Sequence, residues 1–246
     1  MSMRALDRLA RGLFALLVGM TLGVVLGVAH AAEVPAQAKA LLPVLVEQQQ
    51  AIWPDAPMPE FLAGQIEQES CITLKHSKCW NPRAELKTSR EYGFGLGQTT
   101  VAYKKDGSVR FNKWAELVAA YPSLKGWSWA NRYDAHYQLI AIVEMDKGLF
   151  KRQKGAATPV DQLSFALSAY NGGTGGVLQD RRLCANTKGC DPARWRGHVS
   201  AHSLKSRKPQ PGYGKSFYDI NREYVTNILD VRRLKYEPYF RGVPHD

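Results

Sequence analysis

Beyond residue 35, apolar positions recur chiefly at the three- and four-residue steps of amphipathic helices. Ala36 to Gln50 has this spacing, with an interruption expected at Pro43, because proline removes a helical donor. A second helix is predicted from about Pro59, a suitable first-turn residue, to Cys71. Arg132 to Lys151 is a third, with Leu139, Ile142, Val143, Met145, Leu149 and Phe150 as its apolar positions. Thr158-Pro159-Val160-Asp161 reads as a helix start, with a Thr cap, a first-turn Pro and an acid at the third position. That helix runs to Tyr170 and stops at Asn171-Gly172-Gly173. A last helix, Ser216 to Leu234, aligns Phe217, Ile220, Tyr224, Ile228 and Val231 on one face. The strand signal is thin: Val101 to Phe111, with Asp106-Gly107 at its middle, predicts one hairpin. Arg181 to Lys215, basic and rich in Gly, Pro and Ser, reads as a long loop. The expected fold class is α+β, predominantly α-helical, with a small β-hairpin.

The first 31 residues stand apart. Arg4, Arg8 and Arg11 precede an apolar run from Leu13 to Val28, and Ala29-His30-Ala31 supplies a small-residue cleavage site. This is the layout of a secretory signal peptide. The competing reading is an uncleaved inner-membrane anchor over residues 13–28, since the run nearly spans a bilayer. Residues 32–246 then form a single domain, its core about 55–235. Export as a periplasmic or secreted protein is expected, with membrane contact only if the segment is retained.

Charge adds a partner class. Lys and Arg number 33 against 22 for Asp and Glu, a formal charge of +11. Losing three Arg and one Asp with the leader leaves about +9, so the excess belongs to the mature chain. It suits an anionic polymer. The basic run Arg181, Arg182, Lys188, Arg194, Arg196, Lys205, Arg207 and Lys208 lacks a nucleic-acid-binding module, and export argues against nucleic acid as partner. All four cysteines follow the leader. An even count in an exported chain favours disulfides, and the short spacings favour Cys71–Cys79 and Cys184–Cys190. Those spacings match no common zinc framework, and His198 and His202 lie in a loop with few acids, so neither metal nor cofactor is expected.

Three segments carry candidate chemistry. In Phe61 to Ser70, Leu62, Ile66 and Glu69 step by four and then three, placing Glu69 on the apolar stripe. Glu67 falls elsewhere on the helix and is expected to face solvent. Burial disfavours an ionised carboxylate, so the pKa of Glu69 should rise toward the value a general acid needs. Tyr92-Gly-Phe-Gly-Leu-Gly-Gln98 has alternating glycines that permit close backbone approach. Neither this run nor Gly172 to Gly176 is followed by the Lys-Ser/Thr of a phosphate loop. Ala169-Tyr-Asn-Gly-Gly173 ends a helix, and no Gly-x-Ser-x-Gly nucleophile elbow occurs. Trp80, Trp114, Trp127, Trp129 and Tyr133 offer sugar-stacking surface, although core packing is the commoner job for such rings.

The ordered set Glu69-Ser70, Asn81-Pro82, Gly95-Leu96-x-Gln98, Ala169-Tyr170-Asn171-x-Gly173 and Tyr224-Val225 resembles the soluble lytic transglycosylase family, whose domain is lysozyme-like. The resemblance covers about Phe61 to Val231. It implies that Glu69 is the catalytic acid/base and that Ser70 accompanies it. Gln98 would contact the glycan, Tyr170 would orient Glu69, and Asn171 would stand beside it. Tyr224 would be the Tyr of the late helix, and Ser89, six residues before Gly95, would match a cleft Ser. The chain departs from the family at Gly97, usually Met, at Ile220, usually Glu, and in the Cys71 to Cys79 insertion.

What the resemblance implies is cleavage of the β-1,4 bond from N-acetylmuramic acid to N-acetylglucosamine in peptidoglycan strands, with a 1,6-anhydro product and no cofactor. It leaves room for an envelope-spanning machine as a further partner. Two rivals are a hydrolytic muramidase using the same site and a non-catalytic peptidoglycan-binding assembly protein.

Overall fold

The computed structural model describes residues 33–210 and 214–241. The signal-peptide reading and the anchor alternative over 13–28 lie outside the described residues. Among those residues no helix is long and apolar enough to cross a membrane. The fold is α+β and mostly helical. Helix α1 spans Ala36–Ile52 and α2 Phe61–Ser70; strands β1 to β4 are Glu85–Lys87, Glu91–Phe94, Thr99–Tyr103 and Val109–Asn112. Then follow α3 (Lys113–Ala120), α4 (Ala135–Arg152), α5 (Pro159–Gly172), α6 (Thr174–Ala185), α7 (Phe217–Thr226) and α8 (Glu237–Phe240).

Local chemistry sets several boundaries. The Asp134 side chain accepts the His136 N–H at the start of α4, Thr158 accepts that of Asp161 for α5, and Ser216 accepts that of Asp219 for α7. The β3–β4 turn is closed by Asp106, whose Oδ1 accepts from the Ser108 backbone at 2.9 Å, while Gly107 takes φ +82°. The expected hairpin is therefore present, but it is half of a four-stranded antiparallel sheet in the order β1-β2-β3-β4. Strands β1 and β2 escaped sequence reading because they are three and four residues long and carry Gly93.

Other expectations need correction. Helix α1 runs unbroken through Pro43, because packing of the buried Leu42 and Leu45 beside it outweighs one lost hydrogen bond. The loop expected from Arg181 begins inside α6, and α3 is a helix beyond those the periodicity predicts. The late helix is not one straight stripe. After Thr226 it passes into a π-helical turn, Asn227–Arg232, and then a 3-10 turn, Arg233–Lys235. Phe217 and Val231 are half-exposed or more, while Asn221, Tyr224, Val225, Ile228 and Leu229 face the core. The extra residue per π turn rotates the chain so that Arg232 and Arg233 reach α2.

The resulting strap makes α2 an interior helix. The backbone of Arg233 passes so close that a Cβ on Gly64 would lie 2.9 Å from the Arg233 nitrogen. Glu67, expected at the surface, is 1% exposed. Arg232 donates to it at 2.6 Å, Tyr236 at 2.5 Å, and Lys235 pairs with it at 2.9 Å. The Trp80 indole N–H in turn donates to the Tyr236 hydroxyl at 3.1 Å. Both expected disulfides, Cys71–Cys79 and Cys184–Cys190, are present.

Removing one partner of a buried ion cluster leaves its cations uncompensated. Glu67→Gln is therefore expected to cost about 3 kcal/mol in urea unfolding. Removing the short Cys71–Cys79 loop with paired Ser substitutions should cost about 2–3 kcal/mol in the same measurement.

Candidate active site

The sheet presents two unlike faces. The register aligns Leu86, Gly93 and Thr100 on one side and Glu85, Phe94 and Thr99 on the other. Tyr92 and Phe94 pack against Trp127 and Ile140, so that face closes a second small core. The first face, opposite the C-terminal ends of α2 and α5, walls a cleft of about 440 Å³. Glu69, Ser70, Gln98, Tyr170 and Asn171 line it together. An adjoining cavity of about 560 Å³ shares Glu91, Gln98, Thr100, Tyr170 and Asn171 with it, so the cleft continues across the sheet.

Glu69 is half-buried at the last turn of α2, with its carboxyl enclosed beneath the cleft. The Tyr224 hydroxyl donates to its Oε1 at 2.6 Å. Burial pushes the pKa up to about 7, and the Tyr224 hydrogen bond opposes the rise by favouring the ionised form. A carboxyl with that value is largely protonated below neutral pH and exchanges its proton readily near it.

The expected roles of the two tyrosines are redistributed. Tyr224, not Tyr170, holds Glu69. Tyr170 stacks on Tyr224 with ring centroids 6.2 Å apart and planes 14° from parallel, and it donates to the Gly97 carbonyl at 2.7 Å. Gly97 is where the family resemblance wanted Met. A Cβ there would lie 2.8 Å from the Tyr170 hydroxyl and 2.9 Å from Ile142, so the tyrosine and isoleucine fill the space a larger residue would need.

Gln98 adopts φ +44°, a left-handed conformation costly for a non-glycine residue. Its side-chain amide donates to the Gly95 carbonyl at 2.9 Å, and Thr100 donates to the Gln98 carbonyl at 2.8 Å. The Gln98 side-chain oxygen lies over Gly93, where a Cβ would come within 2.9 Å. The alternating glycines therefore serve a close approach, and they aim Gln98 into the cleft. The Ser70 hydroxyl is committed to backbone: it donates to the Ile66 carbonyl at 2.6 Å and accepts the Trp80 N–H at 3.0 Å. Its part is to fasten the end of α2 to the segment beyond the disulfide. Asn171 accepts from Asn221 at 3.0 Å, which also binds Ser168. Ser89 sits exposed at the β1–β2 turn, outside the lining of the Glu69 cleft, whereas its neighbour Thr88 lines it.

Two other carboxylates border the cleft. Glu85 accepts hydrogen bonds from the Tyr133 and Tyr92 hydroxyls, which hold its pKa below the usual carboxylate range. Glu91 is exposed, 3.8 Å from Arg110. Of the aromatic residues with stacking potential, Trp80 and Trp127 are core and Trp129 is 40% exposed, bordering a separate cavity on the far face of the sheet.

Much of the basic run is fastened in place. Arg181 donates to the carbonyls of Lys154, Gly155 and Pro192; Arg194 and Arg196 pair with Asp191 and Asp230; Arg207 lies over the Tyr218 ring. Cys184, Cys190 and His202 gather three potential metal ligands, but the disulfide occupies both sulfurs.

Sequence reasoning missed Gln65 and Asp146, both buried behind Glu69. Comparison with protein-family models and with curated proteins finds no match.

Because the folded pKa of Glu69 lies above the ordinary carboxyl value of 4.5, its contribution to stability is fully present below about pH 4.5 and is lost as pH rises through about 7. Glu69→Gln is thus expected to raise Tm by about 2–6 °C at pH 8 and to change it little at pH 4.5, measured by thermal unfolding. Tyr224→Phe removes the bond that favours the ionised form, so an NMR titration of Glu69 should find its pKa above 7.

Proposed function

We propose that the chain is a peptidoglycan lytic transglycosylase of lysozyme-like fold. It acts on the bond between N-acetylmuramic acid and N-acetylglucosamine, with Glu69 as its acid and then its base. The observation that carries this reading is one carboxyl in the cleft with a pKa of about 7, held by a tyrosine hydroxyl. Glu69 gives its proton to the glycosidic oxygen as the bond to the anomeric carbon breaks. The 2-acetamido oxygen of the substrate stabilises the positive charge at that carbon. The carboxylate of Glu69, steadied by Tyr224, then takes the proton of the muramoyl 6-hydroxyl. That oxygen bonds to the anomeric carbon and closes the 1,6-anhydro ring. Gln98 and Asn171, on opposite walls, supply amide groups to the sugars.

Ordinary glycosidases use two carboxylates, about 5–5.5 Å apart when retaining and 6.5–9.5 Å when inverting. Glu85 is engaged by two tyrosines on the far face, which supports the single-acid chemistry. Glu91 favours a second reading, a hydrolytic muramidase in which it activates water, because it borders both halves of the cleft. Two disulfides suit an oxidising compartment, which supports export to the periplasm or beyond. There the anionic wall would meet a basic protein.

Digestion of purified sacculi with mass analysis of the fragments distinguishes the two chemistries. The expected product is the 1,6-anhydro sugar, and a reducing-end muramic acid would assign the muramidase. Glu69→Gln should lose ~10²–10⁴ in rate while still binding sacculi, and Glu91→Gln should stay active. The wild-type kcat/KM should fall as pH rises through about 7, where Glu69 loses its proton.

A further inference from the structure

Behind Glu69 lies a carboxyl that the proposed reaction does not use. Asp146, on α4, is 0% exposed, and no cation pairs with it among the described residues. Its one hydrogen bond comes from Gln65, whose Nε2 lies 3.4 Å from Asp146 Oδ1. Two side-chain oxygens of this same pair, Gln65 Oε1 and Asp146 Oδ2, have no partner at all. A carboxylate is acceptor-only, so an ionised Asp146 leaves both oxygens unpaired and a bare charge in the core. One proton on Oδ2 resolves both defects. The acid O–H would then donate to the amide carbonyl, alongside the amide N–H that already donates to Asp146 Oδ1.

We infer that Asp146 is a neutral carboxylic acid in reciprocal hydrogen bonding with the Gln65 amide, and that this pair is a positioning device for Glu69. Gln65 precedes Glu69 by one helical turn, so the pair pins that turn of α2 to α4. The Gln65 amide also faces the Tyr170 hydroxyl, whose ring backs Tyr224. The groups around Asp146 agree with this assignment. Glu69 from α2, Tyr170 from α5, Tyr224 from α7 and Tyr121 from the α3–α4 connection are acids or neutral hydroxyls, and Arg152, at the end of α4, acts on Tyr121 but not on Asp146. A negative charge on Glu69 further disfavours one on Asp146, and burial acts in the same direction. Asp146 therefore keeps its proton while Glu69 releases and regains its own. Sealed from the cleft, it cannot serve as the second carboxylate of a hydrolase.

The inference rests on the reading of Glu69 as the acid, but its first test does not need activity. In Glu69→Gln protein at pH 8, infrared spectroscopy should show the carbonyl stretch of a protonated carboxyl, lost in Glu69→Gln/Asp146→Asn. Absence of that band from the folded single variant would overturn the assignment, whatever the reaction proves to be. The second test uses kinetics on sacculi. Asparagine reproduces the neutral acid, its N–H donating to Gln65 Oε1. Asp146→Asn should thus stay within about threefold of wild type, with the alkaline limb of kcat/KM unmoved. Gln65→Leu and Asp146→Leu should lower kcat ~10–100-fold, as expected when the acid is displaced. A downward shift of the alkaline limb in Asp146→Asn would show that Asp146 carries charge beside Glu69. A hundredfold loss in that folded variant would show that its proton takes part in the chemistry. Either result rejects a neutral positioning pair.

Discussion

Three carboxylates, Glu60, Glu67 and Glu69, sit on or at the start of one buried helix, and the placement of cations decides what each does. Arg233 pairs with Glu60, while Arg232 and Lys235 pair with Glu67. All three cations come from the nine residues after Thr226, where the chain leaves α-helical geometry. Glu69 is met instead by a tyrosine hydroxyl. Ion pairing holds a carboxylate ionised, whereas enclosure with one neutral donor leaves its two protonation states close in energy near pH 7. The strap over α2 thus does two things at once: it satisfies the charges needed for packing and, among the described residues, leaves the last turn of the helix, at Glu69, without a cation.

The carboxyl, its tyrosine and the cleft wall are made by segments far apart in sequence, yet each fixes the next. Tyr224 holds Glu69 and stacks on Tyr170. Tyr170 binds the Gly97 carbonyl, and that carbonyl belongs to the turn that forces Gln98 into a left-handed conformation. The strain at Gln98 persists because hydrogen bonds on either side over-determine the turn. On the other flank, Ser70 and the Cys71–Cys79 disulfide fix the α2 end to Trp80, which binds the same Tyr236 that donates to Glu67. Glu69 therefore stands between two braced units, one built from tyrosines and one from the ion cluster.

What the sequence disclosed follows from the range of the interactions involved. Helices α4 and α5 were legible because caps and apolar steps are local. Both disulfides were legible from short spacing. Glu69 was legible because a lone acid on an apolar stripe is a local anomaly. The same logic applies to Asp146, which falls among Ile142, Val143, Leu149 and Phe150, so the signal was present though unread. Glu67 was misplaced because its burial depends on a strap over 160 residues away, and no helical wheel of α2 contains that information. The division of labour between Tyr170 and Tyr224 was hidden for the same reason, since it is settled by how α5 and α7 cross. The short strands β1 and β2 lacked an alternating run long enough to stand out.

Two acids that fold into the interior as neutral groups impose a direction on the protein's stability. Each has a folded pKa above its ordinary value, so each favours the native state at low pH and withdraws that support as pH rises. Glu67, Asp180 and Glu60 are met by cations instead. A core could be made more stable by giving Glu69 a guanidinium as well. Such a partner would lower its pKa and hold it ionised, removing the proton on which the proposed acid catalysis depends. The missing cation at Glu69 is thus an energetic defect by the standard of the rest of α2, placed where a cleft, a strained turn and two stacked tyrosines converge. Local departures from good packing chemistry that are supported so fully by their surroundings belong to sites rather than to errors of folding.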